Sequence, residues 1–525
     1  MLPAFAPLEK MAYALPRHVA SKLELGESVM TFMFAIHLCI FLSFPLSLMR
    51  SPVKRRWYAT VSGLIVGFYA HGLANVVCLL QFMLVYPILV AFPRQHALRF
   101  GLGLALTFMM IRNIYPFWDG SLDGFPRTQV TSIFMRIHIF LCNFSDAEIL
   151  DDPARGMHLS LLERKHAGYL RETPSFADWF HFNCFTPFTY FGGQCEYSYW
   201  IDWVECRGDV TKMQRWANLK PALRRLFDAW LCFGLFYCLN LIANPQTMLD
   251  AVNGSETPAM SPWQVVWLVL IASNKIYLLF GMFVSHEASM IACGFGYRAR
   301  QEKQPEEFNT LQSMDIQKFT FSSSCKESVG AWNMRTQHWL KYYVMVRQMD
   351  RTQSKKTPQL WPKVYAFAMS SVFHGYYIGY SLFFFGLFFI DEGWARINRS
   401  YLVEKARKML PSGRWSSVLG VMLVQLLLRF SSINFFLLTW NDCISYCSHY
   451  FYYIFALPLA LMIIGRLTPT KQAARAKQTK FVYQQEDTIN STSASDGPQP
   501  TDKTGSSSPK SSDSKEAGEA PSLLQ

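Results

Sequence analysis

The chain has 525 residues, of which 51% are hydrophobic and 16% aromatic, and carries a formal net charge of +13. Its apolar residues are gathered into long uncharged blocks, which argues against a string of soluble domains and for a polytopic membrane protein. Lys and Arg lie mostly in the loops between those blocks and form no basic stripe, so nucleic acid is not expected as a partner.

Residues 1–27 mix Pro, charge and apolar residues as a lead-in, without the basic, apolar and small-residue order of a cleaved signal peptide. Residues 28–48 are the first crossing, and the basic loop holding Arg50, Lys54, Arg55 and Arg56 predicts a cytosolic end for it. Residues 57–93 carry no formal charge over 37 positions, enough for two short crossings with a turn near 72–75. A weaker span at 100–118 is interrupted by Arg112.

Over residues 127–150, Val130, Ile133, Phe134, Ile137, Leu141 and Phe144 repeat at helical spacing, which predicts an amphipathic helix on the membrane surface. After a polar loop at 151–178, the aromatic stretch 179–203 around Glu196 reads as a re-entrant or interfacial element. The basic segment 207–225 is expected in the cytosol. Spans at 226–248 and 261–285 follow, joined by a loop with Asp250 and Glu256 that is expected to be lumenal and holds a sequon at Asn253.

Between residues 298 and 363, twelve basic residues face six acidic ones, which predicts a cytosolic stretch. The run 364–390 has no formal charge and one imidazole, His374, at membrane depth. A single crossing by that run would put the basic segment 391–414 in the lumen. That conflict disappears only if the run turns back on itself or if the helix before it re-enters the membrane. Spans at 416–440, containing Arg429, and 443–465 complete an all-α fold of about nine to eleven transmembrane helices, with amphipathic and re-entrant helices beside them. Residues 467–525 lack the apolar content to fold and are expected to be a disordered tail. The 12 cysteines have no zinc-ligand spacing and read as small buried hydrophobes.

Two stretches carry chemistry. His374 must be desolvated unless it faces a wet cavity or a polar partner; taken alone, it reads as a packing histidine hydrogen-bonded to a neighbouring helix. Upstream, WNMRTQHWLKYYVMVR at 332–347 places Trp332, Arg335, Trp339, Tyr343 and Val346 on one helical side, with one amide, Asn333. Taken alone, this stretch is an interfacial helix.

Together, Trp332-Asn333, Trp339, Leu340, Tyr343 and Arg347, followed by FHGYYIGY at 373–380, resemble the membrane-bound O-acyltransferase (MBOAT) family in its lysophospholipid acyltransferase branch. GGQCEYSYW at 192–200 and SHEASMIACGFGY at 285–297 are similar to two further segments of that branch. The sequence departs from the family pattern at Gly193, Ala331, Phe373 and Ile378. The resemblance implies a transmembrane acyltransferase domain over 28–466 that encloses an intramembrane chamber, with His374 and Asn333 as its catalytic residues.

It further implies acyl-CoA as co-substrate and no cofactor. The acceptor expected is a lysophospholipid, foremost lysophosphatidylcholine, and the location is the endoplasmic reticulum membrane. Neutral imidazole suits the role of general base, and an amide suits that of oxyanion donor or acceptor-orienting group. No Gly-x-Ser-x-Gly elbow is present and no Cys lies near His374 in sequence, so a single-step transfer is the simpler reading.

The basic surplus around Arg335, Lys341 and Arg347 suits the phosphates of acyl-CoA, with Trp332 and Trp339 as aromatic contacts. Glu196 and Glu287 suit either a choline-type headgroup or a structural ion pair, the ion pair being favoured. The same chemistry on a sterol, a diacylglycerol or a protein is the alternative. A transporter with His374, Lys275 and Arg429 as relay or gating groups is the rival of another class. Acyl-chain preference and oligomeric state are not legible.

Overall fold

The computed structural model describes residues 13–119, 125–151, 170–190, 194–242, 262–301, 307–348, 360–409, 413–449 and 453–470. Residues 471–525 of the tail and the Asn253 loop lie outside the described residues. Among the described residues every regular element is helical, as a lipid-facing backbone demands. Within the lead-in, α1 (Ala14–Leu23) is an amphipathic helix.

Six helices contain spans long and apolar enough to cross a membrane. They are α2 (Glu27–Leu48), α4 (Ala74–Ala91), α5 (Arg94–Asp119), α9 (Leu219–Ile242), α10 (Pro262–Ala292) and α17 (Gly413–Leu437). Three more apolar helices accompany them. α3 (Pro52–His71) begins with Lys54, Arg55 and Arg56, α15 (Ile378–Asn398) ends with Asp391, Glu392 and Arg396, and α19 (Tyr453–Leu467) has 15 residues. α3 starts where Ser51 Oγ accepts from the Lys54 amide and Pro52 supplies a preset φ, and it stops at Gly72, inside the expected turn.

α6 (Phe125–Asp151) is not a surface helix. Ile133, Phe134, Ile137, Leu141 and Phe144 are buried as the apolar face requires, but so are Arg136, Asn143 and Asp146. The polar side that predicted exposure finds partners inside the protein. Arg136 donates to Phe188 O at 3.1 Å and lies over the Phe188 ring, and Asp146 pairs with Arg347. The aromatic stretch beside it folds into two short helices, α7 (Phe176–Asn183) and α8 (Tyr197–Val204), which bury Trp179, Phe182, Trp200 and Trp203. The cysteines are free thiols, buried except for Cys206 and Cys238.

The run 364–390 is not one crossing. It divides into α14 (Leu360–His374) and α15, with Gly375 at φ +128° in the break, a conformation that an L side chain rarely adopts. The two helices are antiparallel. Lys363 near the start of α14 pairs with Asp391 near the end of α15, while Ser371 and Ser381 hydroxyls meet at 2.9 Å beside the turn. The chain therefore turns back on itself, which lets the basic segments before α14 and after α15 share one face. Gly379 lets α15 approach the end of α17 closely enough for its amide to donate to Leu438 O at 3.1 Å.

Candidate active site

His374 is the last residue of α14, at the tip of the hairpin. A helix end leaves carbonyls unsatisfied. Here side chains from two other helices reach them: Asn113 Nδ2 donates to Val372 O at 2.9 Å and Thr131 Oγ1 donates to Phe373 O at 3.4 Å. The neighbouring Phe373 ring fixes the tip from the other side, edge to face on Trp339 at 4.6 Å and tilted on Phe134 at 5.0 Å.

The imidazole of His374 lies among three rings, stacked on Phe384 at 5.0 Å, edge-on to Phe435 at 5.0 Å and tilted to Tyr380 at 5.6 Å. Protein atoms crowd around it, yet the residue keeps exposed surface. Among the described residues its ring nitrogens have no hydrogen-bond partner. This is not the hydrogen-bonded packing histidine that the residue type alone suggests.

Asn333 is the N-cap of α13 (Met334–Trp339), at φ +42° and ψ +55°, a left-handed conformation that Asn tolerates better than most residues. Its Oδ1 accepts from the Thr336 amide at 3.4 Å, while Nδ2 has no partner among the described residues. Trp332 anchors it, packing on Phe319 at 5.3 Å and on Phe280 and Phe283 at 5.5 Å each. Trp332 and Phe384 pack against the same apolar cluster, so Asn333 follows one wall ring of it and His374 stacks on another. Among the described residues no hydrogen bond joins Asn333 to His374.

The remaining sequence candidates form a second cluster. Glu196 accepts from the Tyr343 hydroxyl at 3.2 Å, meets His338 at 3.3 Å and lies 3.9 Å from Arg335. Burial pushes its carboxyl up, but the His338 hydrogen bond and the Arg335 charge outweigh that and hold it at about 2. Arg335 donates twice to Gln194 O, at 2.9 and 2.7 Å. Arg347 pairs with Asp146 at 3.1 Å. Two of the three cations matched with acyl-CoA phosphates thus hold internal ion pairs, whereas Lys341 is exposed, 4.9 Å from the Tyr342 ring. Trp339 is buried and donates to His138 Nδ1 at 3.3 Å.

Glu287 has the structural pairing that the sequence favoured. It accepts from Arg225 Nε at 2.6 Å and from the Ser313 and Met314 amides at 2.7 Å each. Sequence reasoning missed His138, Asn143 and Asp146 on α6, which serve Trp339, Tyr343 and Arg347. Their signal was three polar side chains inside an apolar run that had been assigned to the solvated face.

Residues 88–433 match the model of the membrane-bound O-acyltransferase family. The chain is 23% identical to the human membrane-bound glycerophospholipid O-acyltransferase 2 over 82% of its own length and 81% of that protein. It is 20% identical to lysophospholipid acyltransferase 1 of Arabidopsis thaliana over 86% of its length and 97% of that protein. Against the lysophospholipid acyltransferase of Schizosaccharomyces pombe it is 26% identical over 43% of its length and 44% of that protein. With the family match running from α4 to α17 and taking in both the hairpin and the Asn333 cap, this multi-pass membrane chain belongs to the membrane-bound O-acyltransferase family and is an acyltransferase.

Proposed function

We propose that the chain transfers an acyl group from acyl-CoA to the free hydroxyl of a lysophospholipid, lysophosphatidylcholine first among them. His374 acts as general base and Asn333 as donor to the developing oxyanion. The observation that carries this reading is the state of His374, whose ring is held by aromatic contacts, has no hydrogen-bond partner among the described residues and belongs to an exposed residue. A ring nitrogen of neutral imidazole takes the hydroxyl proton as the oxygen attacks the thioester carbonyl. The Asn333 Nδ2 group, unpaired among the described residues, donates to the carbonyl oxygen as it gains charge. Collapse expels the CoA thiolate, which takes back the proton from the imidazolium, so the enzyme is restored without an acyl-enzyme stage.

The hairpin suits the two substrates. Acyl-CoA approaches from the cytosolic side, Lys341 being the exposed cation among the three matched with its phosphates, and the lysolipid arrives sideways from the bilayer. The names of the relatives support a glycerophospholipid acceptor. Residence in the endoplasmic reticulum membrane belongs to the same reading and rests on the family resemblance.

The test uses purified full-length chain, labelled oleoyl-CoA and a panel of lysophospholipids, a sterol, a diacylglycerol and a monoacylglycerol. Labelled phosphatidylcholine is the expected main product. Transfer to the sterol or the diacylglycerol in preference to every lysophospholipid would sink the reading.

A further inference from the structure

Arg429 lies in the second half of α17, more than nine-tenths buried. Its Nε donates to Ser273 Oγ at 2.9 Å and its Nη1 donates to Gln425 Oε1. Both partners are neutral, and among the described residues no carboxylate pairs with it. The titratable group acting on it is the Tyr277 phenol. A guanidinium has five N–H donors, and its Nη2 has no protein partner among the described residues. A cation withdrawn from water at this depth without a counter-charge is costly and marks a functional site by default.

The two neutral partners aim the group. Ser273 Oγ also donates to Val269 O at 2.6 Å, and Gln425 Nε2 donates to Phe319 O at 2.5 Å, so each is tied to backbone. The guanidinium is thus preset before any ligand arrives. Its surroundings lead to both catalytic candidates. Phe435, which touches the His374 ring, lies six residues further along α17, about 9 Å of helix rise. On the other side, the Tyr277 ring meets Phe280 at 5.7 Å, and Phe280 meets Trp332 at 5.5 Å, next to Asn333.

Resting on the functional reading above, we propose that Arg429, oriented by Ser273 and Gln425, binds the phosphate of the acceptor lipid. A phosphate oxyanion supplies the missing counter-charge and accepts from the open N–H groups of a planar donor fork. Two substrates carry such a group. In a lysophospholipid the free hydroxyl sits one or two carbons from the phosphate-bearing carbon, so a hydroxyl at His374 brings its phosphate along. In acyl-CoA the pantetheine arm separates the phosphates from the thioester. Arg429 lies about 24 Å of helix rise from Gly413, the α17 end nearer the hairpin base, which favours the lipid phosphate.

The test compares lysophosphatidylcholine with monoacylglycerol of the same chain as acceptors for the purified full-length protein. Wild-type protein is expected to favour the phosphorylated acceptor. Arg429→Gln should raise the KM for lysophosphatidylcholine about tenfold or more, shift the KM for acyl-CoA by less than about twofold, and erase the preference over monoacylglycerol. An intact preference in Arg429→Gln would overturn the proposal, and so would a rise confined to the acyl-CoA KM, which assigns the residue to CoA. Where Arg429→Gln fails to fold, judged by gel filtration, Arg429→Lys decides. Charge without the fork should raise the acceptor KM severalfold, and an unchanged acceptor KM overturns the proposal. Wild-type protein that acylates no lysophospholipid defeats the functional reading itself, and that result precedes any comparison of variants.

Discussion

Lys363 Nζ lies 2.7 Å from Asp391 Oδ2, an ion pair that ties the first turn of α14 to the late turns of α15 and fixes the two helices as an antiparallel hairpin. Glu392 at 3.1 Å and Arg396, paired in turn with Glu392 at 2.8 Å, extend the clamp. Both ends of the hairpin then lie on one side. Single cysteines at Leu360 and Leu402, which are 48% and 47% exposed, should react with an impermeant maleimide from the same side of sealed vesicles. Labelling from opposite sides would restore a single crossing.

His374→Ala should lower turnover ~100- to 10,000-fold, the usual cost of losing a general base, with expression and insertion retained. Among the described residues the ring makes aromatic contacts and no hydrogen bond, so its loss leaves no polar group there unpaired. A purified variant that keeps more than about a tenth of wild-type turnover rules out the base assignment.

Asn333 has two roles that one substitution separates. Aspartate keeps the capping oxygen and tolerates the left-handed backbone, but it removes the N–H donor. Asn333→Asp should therefore unfold at close to the wild-type temperature while turnover falls about 100-fold, with less effect on acyl-CoA affinity. Normal turnover in a stable Asn333→Asp would leave the residue as a cap alone.

Glu196 should make stability depend on pH. Its carboxyl is held at about 2 in the folded chain, below the value of about 4.3 in an unfolded one. A depressed carboxyl stabilises the fold above the unfolded value, and the contribution fades as pH falls from there toward the folded value. Glu196→Gln should thus lower the unfolding temperature by a constant amount between about pH 7 and 5, and the gap should close below about pH 4.3. A gap that persists unchanged at about pH 3 would show that the variant acts by lost packing.

Gly379 allows α15 to approach α17. A Cβ there would stand 2.2 Å from Asn434 O and 2.9 Å from Leu438 Cα, backbone atoms that cannot swing aside. Gly379→Ala should cost about 1–3 kcal/mol, read as a lower unfolding temperature, and should reduce activity by moving the rings around His374. A thermally unchanged variant would mean that α15 and α17 part at this point at no cost.

The helical spans and the imidazole within an uncharged run were legible because apolar length and residue type are local properties. That Glu196 would take part in an ion pair could be anticipated because a buried acid needs a cation, but that the cation is Arg335 could not. The hairpin was one of two ways to resolve the charge conflict, and local properties could not choose between them. A run of 27 uncharged residues satisfies the length of a crossing, and its break depends on carbonyls at Val372 and Phe373 being met by Asn113 and Thr131, 259 and 242 residues away. The burial of α6 was equally hidden, because His138 and Asp146 look solvated until Trp339 and Arg347, each 201 residues on, supply their partners. Sequence fixes which segments must leave water. Only the tertiary structure decides where a buried polar group finds its counterpart, because that partner comes from a distant part of the chain and only folding brings the two together.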